Sequence, residues 1–235
     1  MELKPLFVFP KWSNKLTLGI LIALHTLPIY LGALVAYGLD PVTLNVGYAP
    51  TQPIPYSHKL HVGELGIDCR YCHNTVENAG FAAIPPTETC MNCHKAIRPN
   101  SEKLKPLYES YRTGNPIKWV KIHDLPDYVY FNHGAHVNAS ISCVECHGNV
   151  NHMETVSQVQ PLNMAWCLQC HRDPTSKIRP RDQVTNLDWV PEIPGLAAGE
   201  TPTAKQIAKA KLELGQKLKD QYHINPSVDC ITCHR

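Results

Sequence analysis

The chain has 235 residues, with 22 basic and 20 acidic side chains and a formal charge of +2, so charge gives no argument for nucleic acid or for a strongly acidic partner. The length allows one or two domains. Twenty prolines against four phenylalanines leave only a thin core if side chains alone must build it.

Lys4, Lys11 and Lys15 precede an uncharged run of 24 residues, Leu16 to Leu39, and Asp40 follows it. The run is long enough to cross a bilayer, and Gly19, Pro28 and Gly32 are tolerated in such helices. The positive-inside rule places residues 1–15 in the cytoplasm and everything after the 16–39 span outside. A cleaved signal peptide is the alternative, with Ala36-Tyr37-Gly38 as its small-x-small site. The apolar run exceeds the roughly 7 to 15 residues of a signal core, which favours a retained anchor. His25 and Tyr30 lie inside it, and a polar residue at membrane depth is a functional candidate. The plainer reading is a hydrogen bond to a neighbouring membrane helix. Either way, the span points to a partner in the membrane.

Residues 40–55 read as an extended linker, because Pro41, Pro50, Pro53 and Pro55 discourage helix. Residues 56–235 then carry an internal repeat. Tyr56-Ser57-His58-Lys59-Leu60-His61 leads to Cys69, and Phe131-Asn132-His133-Gly134-Ala135-His136 leads to Cys143, each first histidine standing 11 or 10 residues ahead of its cysteine. The repeats cover about 56–97 and 130–172. Between them, Leu104, Leu107, Tyr108 and Tyr111 predict a short amphipathic helix over Ser101 to Arg112, ended by Gly114 and Pro116. Residues 173–202 read as Pro-rich loop. Thr203 to Tyr222 reads as a second amphipathic helix, begun by Thr201-Pro202, with a lysine face that is solvated surface or a docking site.

Five copies of Cys-x-x-Cys-His hold all ten cysteines. They are Cys69, Cys72 and His73; Cys90, Cys93 and His94; Cys143, Cys146 and His147; Cys167, Cys170 and His171; and Cys230, Cys233 and His234. This is the attachment pattern of c-type haem, with two thiols adding to the vinyl groups and the histidine placed to bind iron. The rival is a zinc ribbon, since gaps of 17 residues (Cys72 to Cys90) and 20 residues (Cys146 to Cys167) fit that spacing. Three facts weigh against zinc: Cys230 and Cys233 lack a partner pair, a histidine follows every second cysteine, and the chain reads as exported. Five short disulfide loops would close no useful loop. The expectation is five haem c groups in a mostly α and irregular fold: one N-terminal transmembrane helix plus a haem-packed multihaem cytochrome c domain with short helices and long loops.

The second axial position decides between substrate binding and electron transfer. His58, His61, His133 and His136 are the first candidates, because residues three apart on a helical turn serve different neighbours. His123 is the fifth. His223, His152, Met153 and Met164 are alternatives, a thioether raising the potential relative to histidine. Met91, inside a motif, reads as filler.

The His-x-x-His pairs resemble the class III multihaem cytochromes of the c3 type, in which the first histidine serves the following motif and the second a different haem. Carried over, His58 would serve the site of Cys69 and Cys72, and His133 that of Cys143 and Cys146. Nearly the whole chain, with its anchor, the five motifs, His123-Asp124-Leu125-Pro126-Asp127, Phe131-Asn132-His133 and Asn163-Met164-Ala165-Trp166-Cys167-Leu168, resembles the membrane-anchored pentahaem subunit of alternative complex III. That resemblance implies a bacterial inner-membrane electron-transfer subunit rather than an enzyme in itself, with its haem domain in the periplasm. It also implies partners: an iron–sulfur subunit, polytopic quinol-binding subunits, and a monohaem cytochrome or oxidase. The rivals are a single-anchor multihaem quinol dehydrogenase acting directly on quinol, and a multihaem nitrite or hydroxylamine reductase. The reductases use an open haem, often with Lys for the motif His, whereas all five motifs here end in His.

Overall fold

The computed structural model describes residues 9–38, 45–196 and 199–235. Lys4, Asp40 and Pro41, which enter the topology and linker expectations, lie outside them. The chain divides into two units, Met1–Leu44 and Asn45–Arg235.

The first unit is α1, Trp12–Gly38, a helix long and apolar enough to cross a membrane. Its 27 residues span about 40 Å. Thr17, His25 and Thr26 each bond a carbonyl four residues back, at 3.0, 2.7 and 2.9 Å. These three polar side chains, His25 included, are thus satisfied within the helix, as an apolar surrounding requires.

The second unit has no strand among its described residues, only one isolated antiparallel bridge between Ile141 and Ile178. Short helices carry it: α2 Cys69–Cys72, α3 Thr87–His94, α4 Lys105–Thr113, α5 His133–Asn138, α6 Cys143–His147, α7 Met164–Arg172, α8 Ala204–Gln221 and α9 Cys230–Cys233. All of these except the 18-residue α8 are too short to be stable alone, so local caps and tertiary contacts set them. The side chains of Asp68, Asn132, Ser142 and Asn163 accept from backbone N–H groups at the starts of α2, α5, α6 and α7. The predicted helix over Ser101 to Arg112 is found as a 3-10 turn, Glu102–Leu104, running into α4, which Gly114 ends at φ +73°. The start of α8 falls at Thr203 rather than Thr201, because Gln206 three residues on completes a capping box.

Ile54, Met91 and Leu107 form a small apolar cluster with Cys90, Leu104, Tyr108, Ile117 and Trp119 around it. Met91 is therefore core. Residues 45–55 have no helix, and they are tied down: Gly47 and Tyr48 exchange backbone bonds with Gln158, and Gln52 bonds both backbone groups of Val120.

α8 packs on the turn Thr175–Lys177 just after α7, and a Cβ at Gly215 would run into the Thr175 carbonyl oxygen. A side chain pressed against fixed backbone cannot be relieved by a rotamer change. Gly215→Ala is expected to destabilise the fold by about 3 kcal/mol, read as a lower denaturation midpoint with unchanged slope.

Candidate functional site

Each Cys-x-x-Cys-His segment forms a helical turn, which puts the two thiols on one face. All ten cysteines are free thiols, so no short disulfide loop forms. Among the described residues no three His, Cys, Asp or Glu side chains converge as a metal cage.

The motifs neighbour one another in a definite order. Cys72 feels Cys93, and Cys90 feels Cys72, both thiols being pushed up first by burial. Cys69 shares a hydrogen bond with Cys143, which raises Cys69 and lowers Cys143. Cys146 is pushed up to about 12 by burial and then by Cys170, Glu145 and Cys167, with Lys177 opposing them. Cys167 is raised by burial and then by Cys233. The succession is second, first, third, fourth, fifth.

Seven of the candidate histidines bind a backbone carbonyl through Nδ1: His61 to Ser57, His73 to Ala83, His94 to Ile97, His133 to Gly80, His136 to Asn132, His171 to Ser227 and His234 to Tyr128, at 2.7–3.0 Å. A carbonyl only accepts, so Nδ1 carries the proton and Nε2 keeps a free lone pair. This is the tautomer and support that a metal-binding imidazole needs. Burial favours the neutral form of four histidine rings. It lowers His147 to about 3 and His58 to about 4, with neighbouring histidines adding to it, and it lowers His136 and His123 as well. His58 Nδ1 and His123 Nε2 are buried with no hydrogen-bond partner.

The rings pair across the motifs. His61 and His94 have centroids 6.3 Å apart, His133 and His147 6.4 Å, and His136 and His171 6.0 Å. Two imidazoles on opposite sides of one metal, each bonded at about 2 Å, have centroids about 6 Å apart. The three pairs fit that test. His58 lies near His73, whose charge is the first electrostatic influence on it. His123 is brought against His147 at 4.3 Å, edge to face, too close for a metal between them. His234 packs with Tyr128 at 5.8 Å. Of the alternatives, His152 is paired with Asp188 at 3.0 Å on the surface, Met164 is exposed, His223 is exposed at φ +55°, and Met153 lies beside Gly148 at the end of the third motif.

Nothing in the residue pattern points to the carbonyls that orient the rings, nor to Asp188, which pairs with His152. Glu145 could have been noticed, since it stands inside the third motif.

No family model matches the chain. Over 97 residues it is 36% identical to the multihaem cytochrome c subunit of menaquinone reductase from Nitratidesulfovibrio vulgaris. The matched stretch covers 41% of this chain and 45% of that protein, so less than half of each is compared. The chain is a partial homologue of a multihaem cytochrome c. The likeness supports that broad kind, associated with quinone chemistry, and does not single out alternative complex III.

Proposed function

We propose that the chain is a membrane-anchored electron-transfer subunit holding five c-type haems. The observation that carries the proposal is the trio of histidine pairs 6.0–6.4 Å apart, each joining a motif histidine to one outside the motifs. The cysteines of each motif would form the two thioethers. His73, His94, His147, His171 and His234 would be proximal ligands. His58, His61, His133 and His136 would be distal ligands, in the pairing of the c3-type cytochromes. When bound, the haem supplies a one-electron iron couple whose potential the axial ligands and surroundings tune. The chain's own work is to hold nine imidazoles and ten cysteine sulfurs at fixed separations, with seven of the nine rings tied to backbone carbonyls through Nδ1. The thin side-chain core is consistent with large apolar groups filling the second unit.

The order of the motifs makes a path, with the second motif at one end and the fifth at the other. The basic residues ahead of α1 support placing the second unit on the periplasmic side of the inner membrane. The partners in this reading are an iron–sulfur subunit, polytopic quinone-binding subunits and a monohaem cytochrome or oxidase, as in alternative complex III. The relative's name attaches it to a complex that reduces menaquinone, so the direction of flow is to be measured.

A second reading has one observation in its favour. A cleft of about 260 Å³ lies beside Cys69, lined in part by Asp68, Asn151, Thr185 and Asp188. Direct reaction with quinol needs a pocket near the first motif, although this lining is polar where a quinol ring prefers apolar walls. Stopped-flow mixing with menaquinol separates the two. Fast haem reduction in the intact membrane complex and none in the isolated haem-loaded subunit is expected. Fast reduction of the isolated subunit would make the chain a quinol dehydrogenase in its own right.

A further inference from the structure

Arg179 is buried, its side chain 3% exposed. Its Nη2 donates to Glu145 Oε1 at 3.3 Å and its Nη1 to the Asn186 carbonyl at 3.0 Å, while the guanidinium lies 5.1 Å from the Trp189 ring centroid. Its Nε has no hydrogen-bond partner. Glu145 stands between Cys143 and Cys146 with its side chain 15% exposed, and its other oxygen meets Lys177 Nζ at 2.8 Å. Two cations and one carboxylate therefore lean on the third motif, with one net positive charge.

The backbone explains the placement. The bridge between Ile141 and Ile178, the bond from Arg179 N to Ser140 O at 3.2 Å, and that from Ser142 Oγ to Val184 O at 2.5 Å clamp residues 178–184 onto the turn that opens α6. A covered ion pair adds little stability over well-packed apolar side chains, and stranding one member is costly. Stability alone gives little reason for it. What it adds is an electrostatic field that cover leaves poorly screened.

We propose that Arg179, Lys177 and Glu145 set the reduction potential of the group bound at Cys143 and Cys146, the two cations favouring its reduced state and the carboxylate opposing them. This rests on the haem reading above and assigns to one site a tuning device. None of the three side chains is a ligand; they act through charge, and Glu145 also positions the motif.

The test is a redox titration, followed by visible absorbance, of the full-length haem-loaded protein and three variants, after haem has been counted chemically. Glu145→Gln leaves both cations unopposed and is expected to raise one component by about tenfold in its reduction equilibrium, about 59 mV for one electron. Arg179→Gln is expected to lower one component. Lys177→Gln lowers it less, because Lys177 is half exposed and salt screens it. Shifts of the same sign in Glu145→Gln and Arg179→Gln, or no shift in either, overturn the proposal. If Arg179→Gln does not fold, opposite signs for Glu145→Gln and Lys177→Gln support it and equal signs sink it. A haem count below five in the unaltered protein overturns the five-site reading instead.

Discussion

Replacing Cys143 and Cys146 together with alanine is expected to cut the molecule's electron path in two. The third motif stands at the middle of the succession, with Cys69 against Cys143 on one side and Cys170 and Cys167 near Cys146 on the other. Four haems should remain, and only two of them, those on the side where electrons enter, should be reduced rapidly in the intact complex. End-to-end transfer should fall by at least about 100-fold, the upper scale for lesions of metal-site support. Replacing Cys230 and Cys233 also removes one haem, but from an end of the succession. If that end is the exit, all four remaining haems should still be reduced at the normal rate. Rapid reduction of all four in the Cys143/Cys146 variant would show that the motif order is not the path.

His136→Ala is expected to open one haem in five. His136 sits opposite His171 with ring centroids 6.0 Å apart, and its Nδ1 is held by the Asn132 carbonyl at 2.7 Å. Removing the ring leaves the assigned fourth site with one protein ligand. One equivalent of carbon monoxide should then bind per chain where the unaltered protein gains none by this route, and one low-spin signal should give way to a high-spin one in electron paramagnetic resonance. His152→Ala is the control, since His152 pairs with Asp188 at the surface, and it should change neither measurement. No change in the His136 variant would remove His136 from the ligand set.

What could be read in advance divides by distance along the chain. The five motifs and the His-x-x-His pairs are short patterns, so they were visible as residue spacing. The helix over α4 was visible as periodicity, and Gly114 as its end. Thr201-Pro202 has the local pattern of a cap for α8, but the reciprocal bond with Gln206 places the cap two residues on, at Thr203. The linker expectation did not foresee that Gly47, Tyr48 and Gln52 are bonded to Gln158 and Val120, partners far ahead in sequence. The same holds for the ring supports. Gly80 holds His133 from 53 residues away and Tyr128 holds His234 from 106, and a carbonyl has no residue identity to betray it. Arg179 and Glu145 are 34 residues apart, with no motif linking them.

Those carbonyl supports also set a timetable for a chain made from its N-terminus. The acceptors for His73 and His94 lie only 10 and 3 residues away, so both rings can be fixed while the rest is still being synthesised. His171 must wait for Ser227, 56 residues later, and His234 then reaches back to Tyr128. A chain that stops short of Ser227 would contain four complete motifs in writing and leave the fourth histidine free to swing. The C-terminal tail is thus the latch that finishes a site built long before it.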